Sequence, residues 1–97
     1  MEHNLKIKTE YANKIFSDDK RWEIRLNDRD YKKGDYLLLS NEHEKPVVII
    51  KLTCVITDIF EGIGLLPNYV ILTFTVIESD VYSAKTLNIF QEGTLKD

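Results

Sequence analysis

Lys20-Arg21-Trp22-Glu23-Ile24-Arg25-Leu26-Asn27-Asp28-Arg29-Asp30-Tyr31-Lys32-Lys33-Gly34-Asp35 opens with strict alternation. Apolar Trp22, Ile24 and Leu26 share one face of an extended chain, and charged Arg21, Glu23 and Arg25 share the other. This pattern predicts a strand over 21–26 with Trp22 on the core side. Asn27-Asp28-Arg29-Asp30 then reads as a polar turn. Gly34-Asp35 marks a second turn before the apolar run Tyr36 to Leu39. Charged side chains held at fixed angles on a strand, beside a polar loop, make a plausible binding surface.

Upstream, Asn4 to Lys8 alternates and predicts a first strand with His3, Leu5 and Ile7 on one face. Thr9 is suited to cap a helix and Glu10 to its positive end. Tyr11, Ala12, Ile15 and Phe16 then fall at helical spacing as one apolar stripe, so a short helix is expected over Glu10 to Ser17. Downstream, a third strand is expected over Tyr36 to Ser40 and a polar loop over Asn41 to Lys45. A long β-branched strand follows over Val47 to Ile59, with Val48, Ile50, Leu52, Cys54 and Ile56 on one face. Such a strand is expected to bend through a bulge or wrap a barrel. Glu61 to Asn68 reads as a loop carrying apolar Ile63, Leu65 and Leu66. Tyr69 to Ile77 is the last clear strand, with Val70, Leu72, Phe74 and Val76 inward. Beyond it, Val81-Tyr82 and Leu87, Ile89 and Phe90 suggest a further short strand or docking segment. Consecutive strands with one helix exclude a doubly wound fold. They point to a mixed α+β, mainly β architecture, a small closed barrel with one main helix at its end.

The 97 residues suffice for one small domain, here 1–97 with its core over about 3–77 and a C-terminal extension over 78–97. No apolar run approaches the ~18 residues of a membrane span, and Met1 to Lys8 lacks a signal-peptide layout. A soluble, cytoplasmic, monomeric protein is expected. Cys54, the only cysteine, excludes an internal disulfide and reads as a buried core thiol. His3 and His43 have no companions at metal-ligand spacing, so no metal is expected. With no Gly-rich phosphate loop, no cofactor is expected either. The net charge of -3 argues against unspecific binding to long nucleic acid. Residues 1–35, however, carry nine Lys and Arg against eight acids, and residues 36–97 four against eight. A local basic patch in the first third fits that distribution.

Asp18-Asp19-Lys20-Arg21-Trp22-Glu23-Ile24-Arg25 resembles the Gly-x-Lys-x-x-Glu-x-Arg pattern that ASCH proteins of the PUA-like superfamily carry after their first helix, with Asp18 where the pattern has glycine. Asn27 to Asp35, the opening His3-x-Leu5-Lys6-Ile7, and Gly64-Leu65 with Tyr69-Val70-Ile71-Leu72 are similar to a small bacterial and phage branch of that class. The resemblance covers about residues 3–77. It implies a PUA-like barrel of five or six strands with a cleft between helix and barrel, and RNA binding as the function of related domains. A hydrolase branch acts on a modified nucleoside. There a threonine nucleophile stands where Glu23 is here, and a lysine matching Lys20 assists it.

Lys20, Glu23 and Arg25 are therefore the expected floor of a site. Arg25 offers a planar fork for phosphate or carboxylate. Glu23 accepts from an exocyclic amine, as cytosine presents, and Lys20 provides a point charge. The alternative is a cross-strand ion-pair ladder on a solvated face, worth ~0–1 kcal/mol. Asn27, Asp28 and Arg29 are candidates for the cleft rim, or simply for the turn. Arg29, Lys32 and Lys33 are candidates for a nucleic acid backbone. Tyr11 and Tyr69 are candidates for stacking on a base. His3 is either a proton carrier in the cleft or a structural residue. Three functions follow: an RNA- or nucleotide-binding module, a small hydrolase of a modified nucleoside using Lys20 and Glu23, or a protein-interaction domain using Ile63, Leu65 and Leu66. The lack of a well-placed hydroxyl favours binding over catalysis.

Overall fold

The computed structural model of the protein describes residues 1–62, 64 and 66–84. Strand β1 spans Glu2–Lys6, helix α1 Thr9–Phe16, β2 Trp22–Leu26, β3 Tyr36–Ser40, β4 Val48–Phe60 and β5 Tyr69–Ser83. The five strands form one sheet in the order β1-β3-β4-β5-β2. All neighbours are antiparallel except β1 and β3, which are parallel. The fold is mainly β with one helix, as expected, but the sheet curls into a half-barrel instead of the closed barrel expected, because β1 and β2 share no ladder. Its two end strands, β1 and β2, face each other across a seam.

The core lies on the concave face. Leu5 and Ile7, Leu37 and Leu39, Ile50 to Ile56 at alternate positions, and Val70, Leu72 and Phe74 fill it. The expected inward sets of β4 and β5 are confirmed except at Val48, which is exposed at the end of its strand. Register shifts between Thr53 and Cys54 and between Ile56 and Asp58 bend the β4–β5 pair. Two irregularities of this kind let a 13-residue strand curl without losing its partner. Strand β5 continues well past Ile77, so Val81 and Tyr82 prolong it rather than forming a strand of their own. Leu87, Ile89 and Phe90, like Ile63 and Leu65 of the connecting loop, lie outside the described residues.

Helix α1 closes one end through Ala12 and Ile15, both fully buried. The wider stripe expected there is narrower in fact: Tyr11 is 37% exposed and Phe16 51%. An eight-residue helix over a strongly curved sheet presents only one narrow row to the core. Thr9 is not the cap. Lys8 is, and the Thr9 N–H is met from outside by Glu44 at 2.5 Å. Asn41, fully buried, ties the helix start to β4. Its amide donates to Thr9 Oγ1 and to the Val48 carbonyl, and its oxygen accepts from Ile50 N. The helix ends in a Schellman motif, with Asp19 N donating to Lys14 O at 2.8 Å and Asp18 N to Ile15 O at 3.2 Å. Asp18 takes the left-handed backbone this requires, φ 71°. A glycine there is therefore a backbone requirement, and aspartate is among the few residues that tolerate it.

Candidate functional site

Strand β2 reverses the expected orientation. Its register with β5 sets Glu23 opposite Leu72 and Arg25 opposite Val70. Cross-strand partners share a face, and Leu72 and Val70 are in the core. Glu23 is accordingly 6% exposed, whereas Trp22, Ile24 and Leu26 are 45%, 48% and 46% exposed. Trp22 is thus not a core residue. Alternation groups side chains by face without saying which face is inside. Here the pairing with β5 turns the charges inward, to the seam where the half-barrel is open.

The buried carboxylate is divided between two cations. Lys20 Nζ contacts Glu23 Oε1, and Arg25 Nη2 lies 3.2 Å from Oε2. Lys20 also donates to the Trp22 carbonyl at 2.6 Å. Its ammonium sits 4.6 Å from the Trp22 ring centroid and 5.2 Å from that of Tyr11. Two rings and a carboxylate hold this lysine in place. Arg25 Nη2 reaches across the seam to the Lys6 carbonyl at 2.8 Å, linking the two end strands that share no ladder. The Arg25 Nε–H is buried without a partner. Arg21 is turned away, donating to the Ile15 carbonyl at the helix end and pairing with Asp18.

Two depressions meet at Glu23. One, of about 360 Å³, runs along the seam and is lined by Lys6, Lys8, Tyr11, Glu23, Arg25 and Tyr69 with apolar Ile7, Ile24 and Leu26. The other, of about 290 Å³, is lined by Tyr11, Lys20, Trp22, Glu23 and Ile24. The structure therefore brings together Lys20, Glu23, Arg25, Tyr11 and Tyr69 from the expected set. A further depression of about 380 Å³ elsewhere on the sheet includes Asn4, Leu38, Glu42, Lys51 and Asp80, where Lys51 and Glu42 already pair at 2.8 Å. Among the described residues it has no aromatic lining, and its acids outnumber its one cation, Lys51.

The other expected residues stand apart from both depressions. Asn27, Asp28 and Arg29 are exposed in the turn after β2, with Asn27 N on the Asn68 carbonyl and Arg29 Nε 3.8 Å from Asp28. His3 is 4% exposed. Its Nε2 is 2.8 Å from Asp35 Oδ2 and its ring packs edge-on against Tyr31. Asp35 also takes the Lys32 N–H and the chain's amino terminus. The His3 hydrogen bond, ahead of these, holds the Asp35 carboxyl below its ordinary range. Burial raises the Tyr31 phenol above its usual value, with nearby Arg29 and Arg25 opposing. Cys54 is fully buried, and burial pushes its thiol up to about 12. It stays a thiol at neutral pH and is no nucleophile.

Lys6 and Lys8 were not among the residues expected in the site. Their parity with Asn4 marks them as solvent-facing, and only the curl of the sheet brings them opposite Arg25. No signal in the sequence pairs positions 6 and 25. Among the described residues, no group of acids, histidines or cysteines is arranged to hold a metal, and no helix is long and apolar enough to cross a membrane. Compared with known protein families, the chain matches the ASCH domain over residues 5–86. No curated protein matches it.

Proposed function

The chain belongs to the ASCH domain family, and from that premise we propose that it is an RNA- or nucleotide-binding module reading a nucleobase and a phosphate beside Glu23. ASCH domains are in general PUA-like RNA-binding domains. The observation that carries the reading is the buried Glu23 carboxylate at the junction of two depressions with aromatic walls. A carboxylate has about four lone-pair sites, and the contacts with Lys20 and Arg25 use two. The rest can accept from an exocyclic amine. Tyr11 and Tyr69 offer ring faces for stacking, worth ~1–3 kcal/mol per base.

Titration of wild type, Glu23→Gln and Arg25→Ala against short RNAs and single nucleotides tests this. Glu23→Gln adds a donor where only acceptors stood, so the preferred base changes. Arg25→Ala weakens every ligand about equally, because a phosphate contact carries no base information. The dependence of log affinity on log salt is shallow, with a slope of magnitude about 1–3. Unchanged binding in both variants removes the site from the account.

The direct Lys20–Glu23 contact favours a second reading, a small hydrolase of a modified nucleoside with this pair doing acid–base work. Neither side chain hydrogen-bonds a hydroxyl or thiol of a described residue, so binding is preferred. Turnover of a modified nucleoside, lost in Glu23→Gln, would reverse that preference.

A further inference from the structure

We propose that the seam depression is a phosphate subsite sized for one nucleotide, with Lys6, Lys8 and Arg25 taking the phosphate while Glu23 faces the base. This rests on the nucleotide reading above and narrows it, because the ligand must carry a phosphate ester.

The charge distribution is the first support. Among the described residues Glu23 is the only acid lining the depression, and Lys20 and Arg25 already neutralise it. Neither Lys6 nor Lys8 forms an ion pair with a described residue. Glu44 accepts from the Thr9 N–H and keeps its charge, which Lys8 feels, but it stands outside the lining, where Lys6, Lys8 and Arg25 still outnumber Glu23 and Glu44 together. A cleft with surplus charge of one sign and low-dielectric walls concentrates the opposite ion.

Arg25 is the second support. Its Nη2 makes both observed contacts, to Glu23 and to the Lys6 carbonyl, and its Nε–H has none. A buried donor without a partner is an unfavourable arrangement. A small pivot of the guanidinium toward an anion in the depression satisfies it. The anion then lies between Lys6 and Lys8 on one side of the seam and Arg25 on the other, so it fastens the two end strands where one hydrogen bond does so now.

Size is the third. A cavity of about 360 Å³ is near the lower end of small-ligand sites, ~300–1,000 Å³. That is room for one nucleotide, free or as one unit of a strand.

Free nucleotides and RNA share this phosphate chemistry, so the experiment separates them. The full chain is titrated calorimetrically with a nucleoside, its 5′-monophosphate, inorganic phosphate, and a trinucleotide lacking terminal phosphates. The monophosphate should bind at least ~10-fold more tightly than the nucleoside, as charge-assisted contacts provide. In the K6Q/K8Q double variant, with folding checked by circular dichroism, that ratio should fall to about one. Equal affinity for nucleoside and monophosphate in the wild type overturns the subsite and leaves the base reading standing. So does a ratio that persists in K6Q/K8Q. No binding by any of the four overturns both. Inorganic phosphate bound as tightly as the nucleotide, and lost in K6Q/K8Q, supports the subsite and removes the base reading. If the trinucleotide binds more tightly than the monophosphate, with the same lysine dependence, the site takes an RNA diester. The reverse order assigns a free nucleotide.

Discussion

Strands β4 and β5 turn their apolar residues to the concave face, whereas β2 turns its charges there and leaves Trp22, Ile24 and Leu26 outside. The two regions use the same period-two pattern with opposite sign. In β4, inward Leu52 and Cys54 have core on all sides, and a charge there would be stranded. In β2, inward Glu23 and Arg25 border the seam, where each finds opposite charge and space for a ligand. A strand at the open end of a half-barrel can bury charge because its inner face is only partly closed. That inversion distinguishes a charged seam from a core.

The largest effect should come from removing Glu23. Glu23→Ala leaves Lys20 and Arg25 as mostly buried cations without their counter-ion, which should cost about 3 kcal/mol in denaturant unfolding, the low end for a broken buried pair, since Lys20 can swing outward. A loss under ~1 kcal/mol is what an exposed ion-pair ladder gives, and would erase the contrast between β2 and an ordinary surface strand. A much smaller change should follow Ile24→Thr on the outer face, within about 0.5 kcal/mol in the same measurement. A loss of several kcal/mol would mean that this face is a second core. The smallest effect is confined to acid. The Asp35 carboxyl, held low first by His3, has a folded pKa below its unfolded value of ~3.9. It therefore stabilises the fold above that pH, and the contribution is lost as pH falls through the lowered value. Asp35→Asn should flatten the decline of stability below about pH 4, seen in unfolding curves taken across that range. Parallel acid limbs would detach His3 and Asp35 from the stability of the barrel.

Much of the frame was legible in the residues. Tyr36 to Ser40, an apolar run after a turn, is β3 as expected; the runs through Val48 and Tyr69 are strands with nearly all their inward residues correctly grouped. The pair Glu23 and Arg25 was legible too, since a two-residue spacing puts them on one face of an extended chain; Lys20, of opposite parity, was grouped with them by the family pattern and reaches Glu23 from just before the strand. The burial of the pair was not, because the face β2 presents is decided by Val70 and Leu72, far along the chain. Lys6 and Lys8 were hidden for the same reason. Their proximity to Arg25 comes from the curl of the sheet, which no local pattern encodes. The helix start misled in a different way: Thr9 has a capping side chain, but Lys8 holds the cap position, Glu44 accepts from the Thr9 N–H, and the Thr9 hydroxyl accepts from Asn41.

The strand order has a consequence for the order of assembly. Among the described residues, strand β2 has a backbone ladder only with β5, and Glu23 pairs with Leu72, 49 positions later. As the chain leaves the ribosome, β1 waits for Tyr36–Ser40, while β2 waits for Tyr69–Thr73. Pairings this distant are formed late, since the intervening chain must be ordered first. Until the fifth strand has emerged, Glu23 and Arg25 are charges on an unpaired segment, and a nascent chain ending before Tyr69 has no partner strand to turn them inward.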